Sequence, residues 1–226
     1  MVDIFSHHKY KLLIILLLVM ASVISILLAL ARVAYSGSRE YTNLIWNLAL
    51  AWIPFIFAGL AYLVSWGRRW LWLVVAACAL IWLMFFPNAP YILTDFNHLN
   101  TSDNTAPLWF DVIMLIWFAW TGLLLGVASL YLMQEIVTRT FGRIIGWIFT
   151  LAVTVLSSIG ISLGRFLRWN SWDILQEPLP IIHDLVGWLR YPFSNLRIYG
   201  FTLLYTLLFL FVYLTFRAFG HVVTEK

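Results

Sequence analysis

The chain has 226 residues, of which 63% are hydrophobic and only 11% are charged. Too few charged side chains are present to cover the surface of a soluble domain of this size, so the composition predicts a membrane protein. The net charge of +4 comes from scattered Lys and Arg residues, without the basic block that a nucleic-acid-binding arm would need. The single cysteine, Cys78, excludes an intrachain disulfide and a two-thiol metal or redox pair.

Apolar runs divide the chain into membrane spans. A helix needs about 20 residues to cross the hydrocarbon layer, because only helices and closed barrels satisfy every backbone group in lipid. The first run is longer than the apolar core of a signal peptide, so we interpret it as a retained span. The sequence predicts an all-α, polytopic helical bundle forming one transmembrane domain over residues 1–226, with a long connection at 164–197. The predicted spans are 12–31, 44–64, 70–86, 108–133, 144–163 and 198–219.

Basic residues in the connections predict the orientation. The connection 87–107 contains no Lys or Arg, whereas the N-terminal segment and the turns after the second and fourth spans do. Short cytoplasmic connections are enriched in Lys and Arg, so both termini are expected in the cytoplasm, although the outer connection 164–197 carries four arginines. The basic residues on which this depends are Lys9, Lys11, Arg68, Arg69, Arg139 and Arg143.

The first candidate site segment follows the third span. Pro87 is expected to bias the preceding residue away from helix and so end the span, and Asn88 can then cap a new helix beginning near Pro90. Asp95 and His98 would share one face of that helix, as acid-base groups or metal ligands. Asn88 and Tyr91 are candidate substrate-binding residues beside them. The alternative interpretation is a capped re-entrant turn whose polar residues are solvated.

Asp111, three residues after the start of the fourth span at Leu108, is the second candidate. A carboxylate facing lipid is costly, so this side chain should face the bundle or its water-filled mouth. It is a third candidate catalytic residue, unless the helix dipole alone accounts for an acid in the first turn. Together with Asp95, His98 and His183 of the long connection, it forms a candidate set of ligands for a divalent metal.

The third candidate segment spans 160–173. Arg165 and Arg168 would share a face if the fifth helix continues, and two guanidinium groups suit a carboxylate or phosphate. Alternatively, they pair with Asp95, Asp111 or Asp173 and hold the structure together. The other candidate substrate-binding residues of this segment are Trp169, Asn170, Trp172 and Asp173.

Three glycine pairs at four-residue spacing are expected to allow close helix packing, inside the bundle or with a partner helix or second copy. They are Gly122 with Gly126, Gly142 with Gly146, and Gly160 with Gly164.

The candidate residues all map to the outer side of the predicted topology. We therefore expect an extracytoplasmic polar site that binds or transforms a polar, anionic or lipid-linked small molecule, in a protein whose constant partner is the lipid bilayer. The alternative is a noncatalytic role in small-solute transport or in the assembly of a membrane complex. The sequence lacks the GxSxG, HExxH, GxxxxGK[ST] and GxGxxG motifs, so the common hydrolase, P-loop and dinucleotide-binding functions have no support.

Two long segments, FPNAPYILTDFNHL and GISLGRFLRWNSWD, carry a family resemblance. With the WFD triplet ending at Asp111, they resemble the bacterial membrane proteins grouped as domain of unknown function 1361. The resemblance covers the chain from about the second span to the end. It implies a multi-pass protein of the bacterial plasma membrane, and it implies no activity, substrate or catalytic residue.

Overall fold

The computed structural model describes residues 8–67, 71–100 and 106–224, and no strand occurs among them. Arg68, Arg69 and Asp103 lie outside the described residues, as do the side chains of Lys9, Lys11 and His98. The helices are α1 (His8–Ser36), α2 (Asn43–Val64), α3 (Trp72–Phe85), α4 (Asn88–Tyr91), α5 (Leu108–Phe141), α6 (Arg143–Ser162), α7 (Asp173–Gln176), α8 (Pro178–Arg190) and α9 (Leu196–Thr224).

Six helical stretches are long and apolar enough to cross a membrane, which confirms the predicted multi-pass helical bundle. They run over Leu12–Ser36, Asn43–Val64, Trp72–Phe96, Leu108–Phe141, Arg143–Leu167 and Pro192–Gly220. Each overlaps one predicted span and extends beyond it at one or both ends.

Helix α5 is the centre of the bundle. It packs against α1, α2, α4, α6 and α9, and it contributes more buried residues than any other described helix. Gly122 and Gly126 permit this packing: a Cβ atom at Gly122 would lie 2.5 Å from the carbonyl oxygen of Ala89, and one at Gly126 would touch Phe209. The predicted close-packing role therefore holds for this pair, and its neighbours belong to the same chain.

Gly142 has a different role from the predicted one. It lies between α5 and α6 with a φ of +94°, a conformation that L side chains rarely adopt, and nothing described approaches its Cβ position within 4 Å. Gly142 therefore forms the turn between two helices, and only Gly146 of that predicted pair packs closely, against Thr138.

The segment after α3 stays helical, contrary to the prediction that Pro87 would push its neighbour out of helix. Phe86 has helical angles (φ −55°, ψ −39°), and α4 begins at Asn88 and continues as a 3₁₀ helix over Ile92–Asn100. Pro87 itself fits helical φ, so its missing N–H interrupts the hydrogen-bond ladder without unwinding the chain. The segment 88–100 packs against α2 and α5, which makes it a wedge near one end of the bundle.

The long connection between α6 and α9 is almost entirely helical. Helix α6 passes into a π-helical turn over Leu163–Leu167, which ends at Arg168 with a φ of +62°. The shared face expected for Arg165 and Arg168 required the helix to continue, and this condition is not met because the helix ends at Leu167 and Arg168 has a left-handed backbone conformation. Helices α7 and α8 and a 3₁₀ turn over Pro192–Asn195 complete the connection.

Candidate functional site

A cleft of about 740 Å³ lies at one end of the bundle. It is bounded by the start of α2, the end of α3, the wedge 88–100, the π-helical turn and the start of α9. The opposite end is marked by Arg139 of α5, which donates a hydrogen bond to Ser65 after α2. The predicted site residues that line the cleft are Asn88, Tyr91, Asp95, Arg165, Arg168, Trp169 and Asn170.

Asp95 supplies a buried carboxylate to the cleft. Its side chain is only 3% exposed, and Oδ2 accepts a hydrogen bond of 2.9 Å from Asn47 Nδ2 of α2. A buried carboxylate is costly unless it is hydrogen-bonded, and the wedge brings Asp95 against α2 where that donor is available. Asn47 was not predicted, since a single Asn inside an apolar run gives no local sign of its partner.

Asn88 joins the two sides of the cleft. Its Nδ2 donates to the carbonyl oxygen of Phe85 at 3.0 Å, and also to Ser171 Oγ at 2.8 Å. The predicted capping role is thus replaced by a bridging one. Asn88 satisfies a carbonyl at the interruption of the third span and fixes the long connection beside it.

Arginine side chains form the opposite side of the cleft. Arg165 and Arg168 line it together with Arg197 of α9. Within the described part of the chain, neither Arg165 nor Arg168 forms a hydrogen bond or ion pair, whereas Arg197 lies over the ring of Phe166 at 5.5 Å. Arg197 was counted only as a loop charge in the sequence, and its helix places it here.

The backbone at Arg168 is strained. A left-handed conformation at a non-glycine residue costs on the order of 1–3 kcal/mol and needs support from its surroundings. The N–H of Trp169 bonds the carbonyl oxygen of Leu163 at 3.4 Å, and the indole of Trp169 donates to Asp184 Oδ2 of α8 at 2.9 Å. These two contacts hold Arg168 at the edge of the cleft and attach α8 to the same turn.

Asp111 does not line the cleft. It forms a buried ion pair with Arg32 of α1, with Nε to Oδ1 at 3.2 Å and a terminal nitrogen to Oδ2 at 3.4 Å. The expectation that it faces the bundle is correct, whereas the suggestion that it pairs with Arg165 is wrong. Arg32 was not singled out, because an arginine near the end of an apolar run ordinarily extends towards the membrane surface.

The surroundings of Arg32 complete a polar cluster between α1, α5 and the α1–α2 connection. Arg32 donates to Ser36 Oγ at 2.9 Å, lies 3.8 Å from Glu40 and stacks over the ring of Tyr41 at 4.9 Å. Burial raises the pKa of Tyr41 to about 12, and the negative charges of Asp111 and Glu40 act in the same direction. Arg32 thus contacts each of the other members, while Glu40 Oε2 is buried without a hydrogen bond to the described residues.

Other predicted residues lie outside the cleft lining. Asp173 accepts hydrogen bonds from the backbone and side chain of Asn170, Trp172 precedes α7, and His183 is exposed on α8. The described members of the predicted metal set, Asp95, Asp111 and His183, do not form a metal-binding group, and no three His, Cys, Asp or Glu side chains do so among the described residues. Catalytic roles for Asp95, His98 and Asp111 stay predictions.

The arrangement suits anion recognition. Guanidinium groups without protein partners can make charge-assisted hydrogen bonds to a carboxylate or phosphate, and Asn88, Asn170 and Ser171 add neutral polar groups nearby. The buried carboxylate of Asp95 adds a group that can position or accept a proton.

Comparison with known proteins gives the family and nothing about activity. No curated protein and no solved structure matches the chain. The family model described as "Protein of unknown function (DUF1361)" matches residues 46–213, a region that contains both the wedge and the π-helical turn. Since this match covers most of the chain, the protein belongs to the DUF1361 family of proteins of unknown function.

Proposed function

We propose that this multi-pass membrane protein binds a polar, anionic small molecule or lipid-linked group in the cleft, and that transformation of that molecule would use Asp95. The observation that carries the proposal is the placement of Arg165 and Arg168, without described partners, in the same cleft as the buried carboxylate. A guanidinium group that merely stabilised the fold would be expected to have its own acceptor, as Arg32 does.

The alternative function, assembly or noncatalytic transport, has weaker support. Docking seams were expected at the glycine pairs, but Gly122, Gly126, Gly160 and Gly164 all face residues of this chain. An assembly role would therefore need another surface. A transport role would need a second opening on the other side of the membrane. The contacts of the described residues do not favour such an opening.

The proposal includes a location. We place the protein in the bacterial plasma membrane with both termini in the cytoplasm, so that the cleft faces outward. This orientation is supported by Arg139 and Arg143, which lie at the turn between α5 and α6, at the end of the bundle opposite the cleft. Short connections rich in Lys and Arg are usually cytoplasmic, so this end of the bundle should face the cytoplasm.

The test is phosphate binding by purified full-length protein in detergent micelles, measured by tryptophan fluorescence, to which Trp46 and Trp169 of the cleft contribute. The double variant Arg165→Gln/Arg168→Gln should weaken binding by about tenfold or more, because it removes charge-assisted hydrogen bonds. The matched control is Arg190→Gln, an exposed arginine of α8 that does not line the cleft.

A second substitution should change phosphate affinity in the opposite direction, which makes the test sharper. Asp95→Asn removes a negative charge from the cleft while keeping its shape, so it should tighten phosphate binding. Equal losses in the control and in the double variant would contradict the proposal. So would a wild-type protein that binds neither inorganic phosphate nor a phosphate-bearing anionic lipid.

A further inference from the structure

Helix α8 has an exposed apolar stripe on the side of the molecule that carries the cleft. Leu179, Ile182, Val186 and Leu189 recur at helical spacing, and they are 76%, 53%, 52% and 75% exposed. Side chains of this size and number are rarely left in water along one helix face. A stripe of this kind is typical of a helix that lies in the plane of a membrane surface.

The opposite face of α8 belongs to the cleft. Ile181 is buried and lines the cavity, and Asp184 accepts the hydrogen bond from the indole of Trp169. Tyr199 of α9 donates to the carbonyl oxygen of Trp188 at 3.0 Å, which attaches the end of α8 to the last span. One side of this helix is therefore a wall of the cleft, and the other is apolar and uncovered.

Exposed apolar side chains also follow the stripe along the chain into the last span, α9. Phe193 and Leu196 connect the two, at 85% and 63% exposure, and Leu203 and Leu207 extend the same kind of surface along the span. The six long apolar helices require a hydrocarbon layer around them. The same layer, at its boundary with the headgroups, is the occupant that best fits the stripe of α8.

We infer that the cleft opens beside α8 to the headgroup layer, and that its ligand is an anionic membrane lipid, whose phosphate-bearing headgroup has a net negative charge that zwitterionic phosphatidylcholine lacks. The headgroup phosphate lies against Arg165 and Arg168, while the acyl chains stay in the layer that covers the α8 stripe. This inference rests on the proposed anion-binding function, and it adds the class of ligand and its route of entry.

Two probes distinguish the lipid from a free anion. Inorganic phosphate tests the arginines alone, and phosphatidic acid in phosphatidylcholine nanodiscs tests the same chemistry presented from a bilayer. Wild-type protein should bind phosphatidic acid at least about tenfold more tightly than inorganic phosphate, and it should not respond to added phosphatidylcholine. Arg165→Gln/Arg168→Gln should weaken both interactions.

The stripe variant separates the two proposals. Ile182→Gln/Val186→Gln should lower phosphatidic acid affinity about tenfold and leave phosphate binding unchanged, whereas His183→Gln, on the same helix, should change neither. If both probes bind equally and the stripe variant has no effect, the lipid inference fails and the anion site stands. If neither probe binds, the proposed function fails as well.

A spectroscopic measurement keeps the inference testable if the stripe variant does not fold. Spin labels at Val186→Cys and His183→Cys, each combined with Cys78→Ala, report their exposure to lipid-soluble oxygen and to a water-soluble relaxing agent. The label at position 186 should be more accessible to oxygen, and the label at 183 more accessible to the aqueous agent. Aqueous accessibility at 186, or a shift of the stripe variant to a smaller oligomer, would overturn the inference in favour of solvent or a second copy.

Discussion

Removing one member of the Arg32–Asp111 ion pair should strongly destabilise the bundle. Arg32 is fully buried and Asp111 is 2% exposed, and two hydrogen bonds join them at 3.2 and 3.4 Å. Asp111→Leu leaves the guanidinium group with Ser36 and with Glu40 at 3.8 Å, which does not replace a paired carboxylate. Breaking a buried ion pair costs about 3–5 kcal/mol, and we expect a loss in this range.

The double variant Arg32→Met/Asp111→Leu shows whether the pair is structural. Replacing both charged groups by apolar side chains is often neutral, so the double variant should recover most of the lost free energy of unfolding. Unfolding is measured by circular dichroism in mixed micelles of increasing SDS content. The double variant should also bind phosphate as the wild type does, because neither residue lines the cleft.

The control pair is Arg165 with Asp111, which the sequence allowed as partners. Asp111→Leu and Arg165→Gln should have additive effects on stability, because Asp111 pairs with Arg32. Wild-type stability of Asp111→Leu would refute the argument from the ion pair. A stable double variant that has lost phosphate binding would return Asp111 to the list of residues that serve the site.

Two further predictions concern topology and packing. In a cysteine-free background, a cysteine at Asn170 should react with an impermeant reagent on intact cells and one at Arg139 should not; the reverse pattern would turn the cleft towards the cytoplasm. Gly122→Ala should destabilise the bundle by about 1–3 kcal/mol, because its Cβ would lie 2.5 Å from a backbone oxygen of the wedge. The control Gly59→Ala should be neutral or stabilising, because a Cβ atom there meets open space. Equal effects of the two substitutions in the SDS titration would contradict this packing.

The spans were predictable because the membrane imposes a length and a composition that can be counted along the chain. The residues at which the spans end were less predictable. Phe86 kept helical angles although a proline follows it, since the wedge 88–100 is held between α2 and α5 and tertiary packing overrode the local bias. The π-helical turn at Leu163–Leu167 likewise has a contact far along the chain, since Phe166 packs against Phe201 of α9.

The pairing of charges was the least predictable feature. Arg32 and Asp111 are 79 residues apart, and each has an ordinary local explanation, as an arginine at a span end and as an acid in the first turn of a helix. The end of the bundle at which the charged residues lie, by contrast, could be inferred from the sequence. Asp95, Arg165 and Arg168 were predicted on one side because span number fixes the end of the bundle to which each connection belongs, and all three line one cleft.

The position of the cleft follows from the two helix interruptions that form it. Interrupted helices leave backbone groups unsatisfied, and such groups are tolerated at membrane depth only beside protein or water. The wedge follows Pro87 and the π-helical turn follows Ser162. Glycines let the two interruptions meet: a Cβ atom at Gly160 would lie 3.0 Å from Pro87, and one at Gly164 would lie 3.3 Å from the ring of Tyr91. The same two interruptions carry Asp95, Arg165 and Arg168 on their adjoining segments, so the charged side chains of the proposed site collect in one cleft.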